Sequence, residues 1–312
     1  MRHVPVLQEE VVRFLTRPHG AFIDGTVGDG GHAAALLIAS GPESRLLGLD
    51  LDPGALHAAA EFLAPFGEQV RLLHGTFADL KRHATASGFT AVSGILFDLG
   101  LRAEHLDAAR GFSFRSISPL DMRFDQEGTV TLPEPSLPAL QRLARQHPAY
   151  TAATLLARLS ASELADVFST YGDERFAERI AGAIVAARRR TPITTTGELK
   201  HLVIRALPRT ARHGRIHGAT RVFQALRIAV NRELESLERG LTDALNLLDH
   251  GGRLAVIAYH SGEDRIVKQR FREAQATGAF TVLTRRPLKP TMSEQTRNPR
   301  SRSAKLRILE HQ

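Results

Sequence analysis

The sequence predicts an α/β protein: a Rossmann-like, doubly wound parallel sheet with an all-helical domain spliced in before its last parallel strand. Three observations carry this. Over the first hundred residues, short apolar runs alternate with helix-like segments, the pattern of parallel strands joined by crossover helices. Each run ends on a polar residue, and the first opens into a glycine-rich turn. After Asp98 the rhythm stops, and the next run with the character of a buried strand, Arg253 to Tyr259, comes more than 150 residues later.

The elements follow in order. The first strand is Ala21–Asp24, and a helix follows the glycines from about Gly31 to Ser40, where Gly41-Pro42 stops it. The second strand, Arg45–Asp50, precedes Asp52 and Pro53, which have the chemistry of a helix N-cap and first helical position. That helix runs to about Phe66. The third strand is Val70–His74, the next helix spans about Phe77 to Ser87, and the fourth strand is Val92–Asp98. In the insert, Ser160-Ala161-Ser162-Glu163 is a capping-box signature, and Glu174 to Arg190 and Thr220 to Leu248 have helical spacing. Pro133, Pro135 and Pro138 interrupt the stretch before it, which reads as a loop or mobile connector. Beyond the fifth strand, Phe280–Leu283 and Lys305–Leu309 are expected to pair as an antiparallel edge around the basic loop from Arg285 to Lys305. The expected domains are 1–107 with 220–312 for the sheet, and 108–219 for the helical insert.

Composition narrows the function. With 312 residues, 43% of them hydrophobic, the chain is long enough for one large core or two smaller ones. The absence of cysteine excludes disulfides, thiolate metal sites and a cysteine nucleophile, and no metal site is expected. No apolar run approaches the roughly 18 residues of a membrane helix, and Met1-Arg2-His3-Val4-Pro5 does not begin a secretory signal, so a cytoplasmic protein without a membrane partner is expected. The net charge of +8 is unevenly spread. Residues 1–150 hold 13 Lys+Arg against 17 Asp+Glu, and residues 151–312 hold 28 against 16. An asymmetry of that size points to a polyanion such as a nucleic acid. Aromatic residues make up 6% and tryptophan is absent, which disfavours a platform of stacked bases.

Ligands of open parallel sheets bind beyond the carboxyl ends of the strands. Asp24, Asp50 and Asp98 would converge there. Gly28-Asp29-Gly30-Gly31 lies where the first strand turns into its helix, so bare backbone can approach a ligand at the positive helix N-terminus. Gly28-x-Gly30-x-x-Ala33, with Asp50 further on, also loosely matches a dinucleotide fingerprint, which keeps hydride transfer open. Asp24 just before the glycines favours methyl transfer. So does Thr76-Phe77-Ala78-Asp79, which offers an apolar ring and an acceptor to an adenine; Asp50 would accept from the ribose hydroxyls. Glycines at such a turn often serve conformation alone; the succession of glycine turn, Asp50, Phe77 and Asp98 at strand ends is what points to a nucleotide.

Several longer stretches resemble one family. They are Asp24-Gly25-Thr26-Val27-Gly28-Asp29-Gly30-Gly31-His32; Arg110-Gly111-Phe112-Ser113-Phe114 with Pro119-Leu120-Asp121-Met122-Arg123; Ala219 to Asn231; His260-Ser261-Gly262-Glu263-Asp264-Arg265-Ile266-Val267-Lys268; and Asn298 to Arg307. In this order, over nearly the full chain, they resemble the RsmH (MraW) family of bacterial 16S rRNA cytosine-N4 methyltransferases. The resemblance implies a class I methyltransferase sheet with a helical insert, S-adenosyl-L-methionine as cofactor and 16S rRNA in the small ribosomal subunit as partner. It places cofactor contacts on Gly30, Gly31, His32, Asp50, Phe77, Asp98 and His105. His105 stands where the family pattern has glutamine, and Arg102-Ala103 replace two serines. Other departures are Gly218 for proline and Gly262 for leucine. Asp98, beside the expected methyl, is the candidate acceptor for the proton of the attacking amine. His260 is expected either to face the target base or to cap its own helix. Arg221, Arg227, Arg265, Lys268, Arg300, Arg302 and Lys305 are the candidate phosphate contacts, some of them pairing instead with Glu233, Glu263 or Asp264. An assembly factor that binds RNA without transferring methyl groups is the alternative.

Overall fold

Seven strands account for the apolar runs: β1 (Ala21–Asp24), β2 (Arg45–Asp50), β3 (Val70–His74), β4 (Val92–Asp98), β5 (Leu248–Ala258), β6 (Phe280–Val282) and β7 (Lys305–His311). The computed structural model describes residues 5–107, 109–211 and 217–312; Met1–Val4 and residue 108, where the insert was expected to begin, lie outside these. One sheet contains all seven strands in the order β3-β2-β1-β4-β5-β7-β6. The first five are mutually parallel, with Asp24 opposite Gly48 on β2 and Leu96 on β4, and Asp98 opposite Ile257 on β5. β7 runs antiparallel to both β5 and β6, so the expected antiparallel edge is present.

The strands read as nearly continuous apolar runs because both faces are covered. Ile23, Leu47, Ile95, Phe97 and Val256 pack on one face with Leu80, Leu237, Leu241 and Phe271 from helices. Phe22 and Leu46 pack on the other with Ala33, Leu37 and Leu63, and Leu96, Ala255 and Ile257 pack with Val11, Leu15 and Leu36. The helix Gly31–Ser40 ends at Gly41, whose φ of 93° takes the chain out of helical geometry. The helix Pro53–Leu63 starts as expected, with the Asp52 carboxylate accepting the Gly54 N–H and Pro53 at the first position.

Where the structure differs, local geometry gives the reason. β5 begins at Leu248, five residues before the expected start. The register to β4 jumps from Val92↔Leu248 to Gly94↔Arg253, so the residues between loop outward as a bulge. Gly251 there has φ 73°, and a Cβ on Gly252 would lie 2.7 Å from the carbonyl oxygens of Asp249 and Val92. The helix expected over Thr220–Leu248 is two helices, Thr220–Asn231 and Glu233–Leu247, broken at Arg232 with φ 51°. The Asn231 amide donates to Met122 O and Arg227 O and accepts from Phe124 N–H, and Arg232 Nη1 donates to Pro133 O. Those bonds to distant loops hold the break. The connector is loop at Pro133 and Pro135, as expected, but turns helical from Pro138, which occupies the first position of Pro138–Gln146, where its missing N–H costs nothing; Thr151 caps a second helix, Ala152–Arg158.

The chain divides into two compact units. The first comprises 1–100, 129–132 and 236–312; the second comprises 101–128 and 133–235. The second unit therefore takes in residues 220–235, assigned above to the sheet domain. Val222, Phe223, Ala225 and Leu226 pack in its core with Leu164, Phe168, Ile180 and Leu199, and a Cβ on Gly172 would come within 2.6 Å of Arg221 O, so these helices approach backbone to backbone. Ser160 and Glu163 form the capping box that starts Ala161–Gly172.

Candidate functional site

At the carboxyl edge of the sheet, β1 ends on Asp24, β2 on Asp50 and β4 on Asp98. The turn after β1 is held to all three. Thr26 donates its backbone N–H to Asp24 Oδ1 at 3.1 Å, and its Oγ1 accepts the Asp98 N–H at 2.6 Å. Asp50 accepts the Gly28 N–H on Oδ2 and the Asp52 N–H on Oδ1, both at 2.9 Å. The same carboxylate thus fixes the glycine turn and the start of the next helix.

Gly28 and Gly30 have φ of 54° and 85°, a region that other residues enter only under strain. A Cβ on Gly30 would meet Leu63 at 2.9 Å, and one on Gly31 would meet Pro5 at 2.5 Å. The protein's own packing therefore demands these glycines, a requirement the motif alone does not reveal. Gly25 is equally confined, since a Cβ would lie 2.5 Å from the Phe97 ring and 3.1 Å from Phe77 Cβ. Phe77 packs against Phe97 with ring centroids 4.9 Å apart, which places it beside the turn.

His32, in the first turn of the helix after the glycines, is 6% exposed, and neither ring nitrogen has a hydrogen-bond partner among the described residues. Its Nε2 lies 3.7 Å from Asp98 Oδ2. Asp24 is 1% exposed, and burial pushes its carboxyl up from 3.8 to about 7, against the pull of His32 and the Thr26 N–H; Asp98 and Asp50 push the same way as burial. Three carboxyl groups and one imidazole thus share this edge of the sheet.

Gly30, Gly31, His32, Asp50, Phe77 and Asp98 are brought to this one edge. His105 belongs to the helical unit, 4% exposed, with its ring 5.3 Å from Phe112 and 4.9 Å from Phe124. Asp79, expected as an adenine acceptor, binds Arg82 three residues on at 3.1 Å and Arg239 of the helix Glu233–Leu247 at 2.6 Å. His260 caps its helix: its Nδ1 accepts the Glu263 N–H, while Glu263 Oε2 accepts the N–H groups of Tyr259 and His260. Of the candidate phosphate contacts, Arg227 is bound at 2.8 Å to both oxygens of Glu233, Arg221 donates to Asp173 O, and Lys305 binds Asp264 at 2.8 Å beside Arg307. Asp264 is held below the usual carboxylate range by those two cations, which outweigh its partial burial. Lys268, Arg300 and Arg302 are exposed.

Sequence reasoning missed two residues. Tyr259, read only as the end of a strand, donates its hydroxyl to Asp98 Oδ1 at 2.8 Å. Gly240 lies inside the helix Glu233–Leu247, where a Cβ would come 2.6 Å from the Phe77 ring and 2.9 Å from Phe77 O. An isolated glycine within a helical pattern is the one signal that pointed to it. Among the described residues no group of side chains is suited to a metal ion, and no helix is long and apolar enough to cross a membrane.

The strand order, with β7 reversed, and the acidic carboxyl edge are those of a class I methyltransferase sheet. The chain belongs to the MraW methylase family, whose model matches residues 1–134 and 139–312. Among its relatives, the Desulfotalea psychrophila protein called ribosomal RNA small subunit methyltransferase H is 43% identical over 310 residues, covering 99% of this chain and 97% of that one. Proteins of the same name from Pelobacter propionicus and Thermomicrobium roseum are 45% and 46% identical, each covering 99% of this chain and respectively 98% and 93% of their own length.

Proposed function

We propose that this enzyme transfers a methyl group from S-adenosylmethionine to the N4 amine of a cytidine in the decoding centre of 16S rRNA, in the cytoplasm. The observation that carries the reading is the acidic edge of the sheet, where Asp98 stands beside His32 at the glycine turn, in a chain related over nearly its whole length to proteins named for methylating small-subunit ribosomal RNA.

The residues present suit the cofactor. A buried imidazole with no hydrogen-bond partner among the described residues, beside a carboxyl raised by burial in the company of two further acids, fits a ligand that brings positive charge and hydrogen-bonding groups. Gly30, Gly31 and His32 would hold its amino-acid part, Asp50 at the end of β2 its ribose, and Phe77 its adenine; His105 is the remaining proposed contact. Bound there, S-adenosylmethionine supplies a methyl group activated by its sulfonium. The chain's task is to orient the amine in line with that methyl and to accept the proton the amine gives up. Asp98 takes both roles.

The helical insert, 108–219, is proposed to recognise the rRNA together with the basic loop of the sheet unit. Between Arg285 and Lys305 the sequence has seven basic residues and one acid, Glu294, whose carboxylate is turned to the Leu7 N–H at 2.7 Å. Arg285, Arg286, Lys289, Arg297, Arg300 and Arg302 are all exposed on that loop.

The test is transfer of labelled methyl from S-adenosylmethionine to small subunits from cells lacking this protein, followed by mapping of the modified base. Label on a cytidine N4 of 16S rRNA is expected. Label on another atom refutes the substrate assignment, and rRNA binding without label favours the assembly-factor reading.

A further inference from the structure

We infer that Tyr259 is the positioning residue for Asp98, clamping one carboxylate oxygen so that the other is presented to the substrate amine. The inference rests on the proposed role of Asp98 as proton acceptor.

Asp98 ends β4, where the chain leaves the sheet, so its backbone alone does not fix its carboxylate. In the parallel register Asp98 lies opposite Ile257, and Tyr259 comes two residues further along the chain, just past the end of β5. From there its hydroxyl donates to Asp98 Oδ1 at 2.8 Å. Oδ2 keeps a longer, 3.7 Å approach to His32 Nε2. The two oxygens are therefore unequal: one is engaged in a short charge-assisted bond, the other faces the imidazole at the turn.

Tyr259 is itself held at three points. Its backbone N–H donates to Glu263 Oε2 at 2.8 Å, within the capping box that His260 and Glu263 form at the next helix. Its ring lies against Gly100, where a Cβ would approach Cε2 to 2.9 Å, and the Gly100 N–H donates back to Asp98 O at 3.0 Å. Its hydroxyl is the third point. Burial and the neighbouring Asp98 carboxylate push the Tyr259 hydroxyl well above its ordinary 10, so it remains the donor of this bond at any working pH. A phenylalanine would fill the same cleft against Gly100, so packing alone does not need the oxygen. Among the described residues the hydroxyl's hydrogen bond goes to Asp98, which is where its function is assigned.

The test compares wild type with Y259F, D98N and the double variant, measuring single-turnover methyl transfer to small subunits, S-adenosylmethionine Kd by calorimetry, and thermal unfolding. Y259F is expected to lower the transfer rate about tenfold, the worth of a hydrogen bond to a charged group, with Kd within about twofold and unfolding little changed. In the D98N background the same substitution should cost almost nothing further, since its effect passes through Asp98. A Y259F rate equal to wild type, or a tenfold loss that repeats in full in D98N, overturns the inference. A wild-type protein that transfers no methyl overturns the proposed function, and this inference with it.

Discussion

Replacing Asp24 by asparagine isolates the electrostatic tension of the site. Asp24 is fully buried, and its carboxyl is raised from 3.8 to about 7, chiefly by desolvation. A carboxyl raised in the folded state favours folding when protonated. Its contribution is therefore complete below the unfolded value near 4 and is lost as pH climbs through the folded value near 7. A rise from 3.8 to about 7 corresponds to about 4 kcal/mol lost across that window, of which about 2–3 kcal/mol falls between pH 5 and pH 8. Asparagine retains an oxygen to accept the Thr26 N–H and carries no charge to desolvate. Urea unfolding of the ligand-free protein at both pH values measures the difference. Asp24→Asn should gain on wild type by about 2–3 kcal/mol on going from pH 5 to pH 8. Parallel pH dependences for the two proteins would show that Asp24 is not the strained group and would refute the reasoning. The same substitution should weaken S-adenosylmethionine binding at pH 8, because the charge that destabilises the empty site is the one a cationic ligand would neutralise.

Gly240→Ala should drive a methyl into the Phe77 ring and carbonyl, costing about 1–3 kcal/mol of stability and weakening S-adenosylmethionine binding; calorimetry on the folded variant checks it, and an unchanged Kd would remove Phe77 from the cofactor site. Charge reversal of Arg300 and Arg302 together should weaken rRNA binding and reduce the slope of log K against log salt by about one to two, measured by filter binding over a salt series. Tyr171→Phe removes the 2.7 Å hydrogen bond to the buried Glu235 carboxylate, which also accepts from Ser136, and should cost about 1–3 kcal/mol in denaturant unfolding of the whole chain. No loss there would mean that Ser136 alone satisfies Glu235.

Much of the sheet was legible because its signals are local. β1 to β4, the stop at Gly41 and the caps at Asp52 and Ser160 each depend on residues within a few positions of one another. The insert was legible as an interruption of rhythm, and the antiparallel edge as two short runs flanking a basic loop. The segments read wrongly obeyed distant partners. Thr220 to Leu248 has helical periodicity throughout, yet Arg232 breaks it because Asn231 and Arg232 bond to the loops at Met122, Phe124 and Pro133. In the proline connector only the part from Pro138 onward departs from a loop, because proline breaks a helix from within but not at its first position.

The same division runs through the site. The order of residues along the chain determined that Asp24, Asp50, Asp98 and the glycine turn would meet, since in a parallel sheet every strand ends on the same edge. It determined the family as well, because long stretches carry that information residue by residue. Which partner each side chain takes was decided by the tertiary structure alone. Tyr259 reaches Asp98 through the β4–β5 register, Gly240 makes room for Phe77 from a helix far along the chain, and Asp79, Arg227 and Lys305 are drawn into ion pairs. Such choices turn on distances of a few ångströms between groups far apart in sequence, and a one-dimensional pattern has no measure of those.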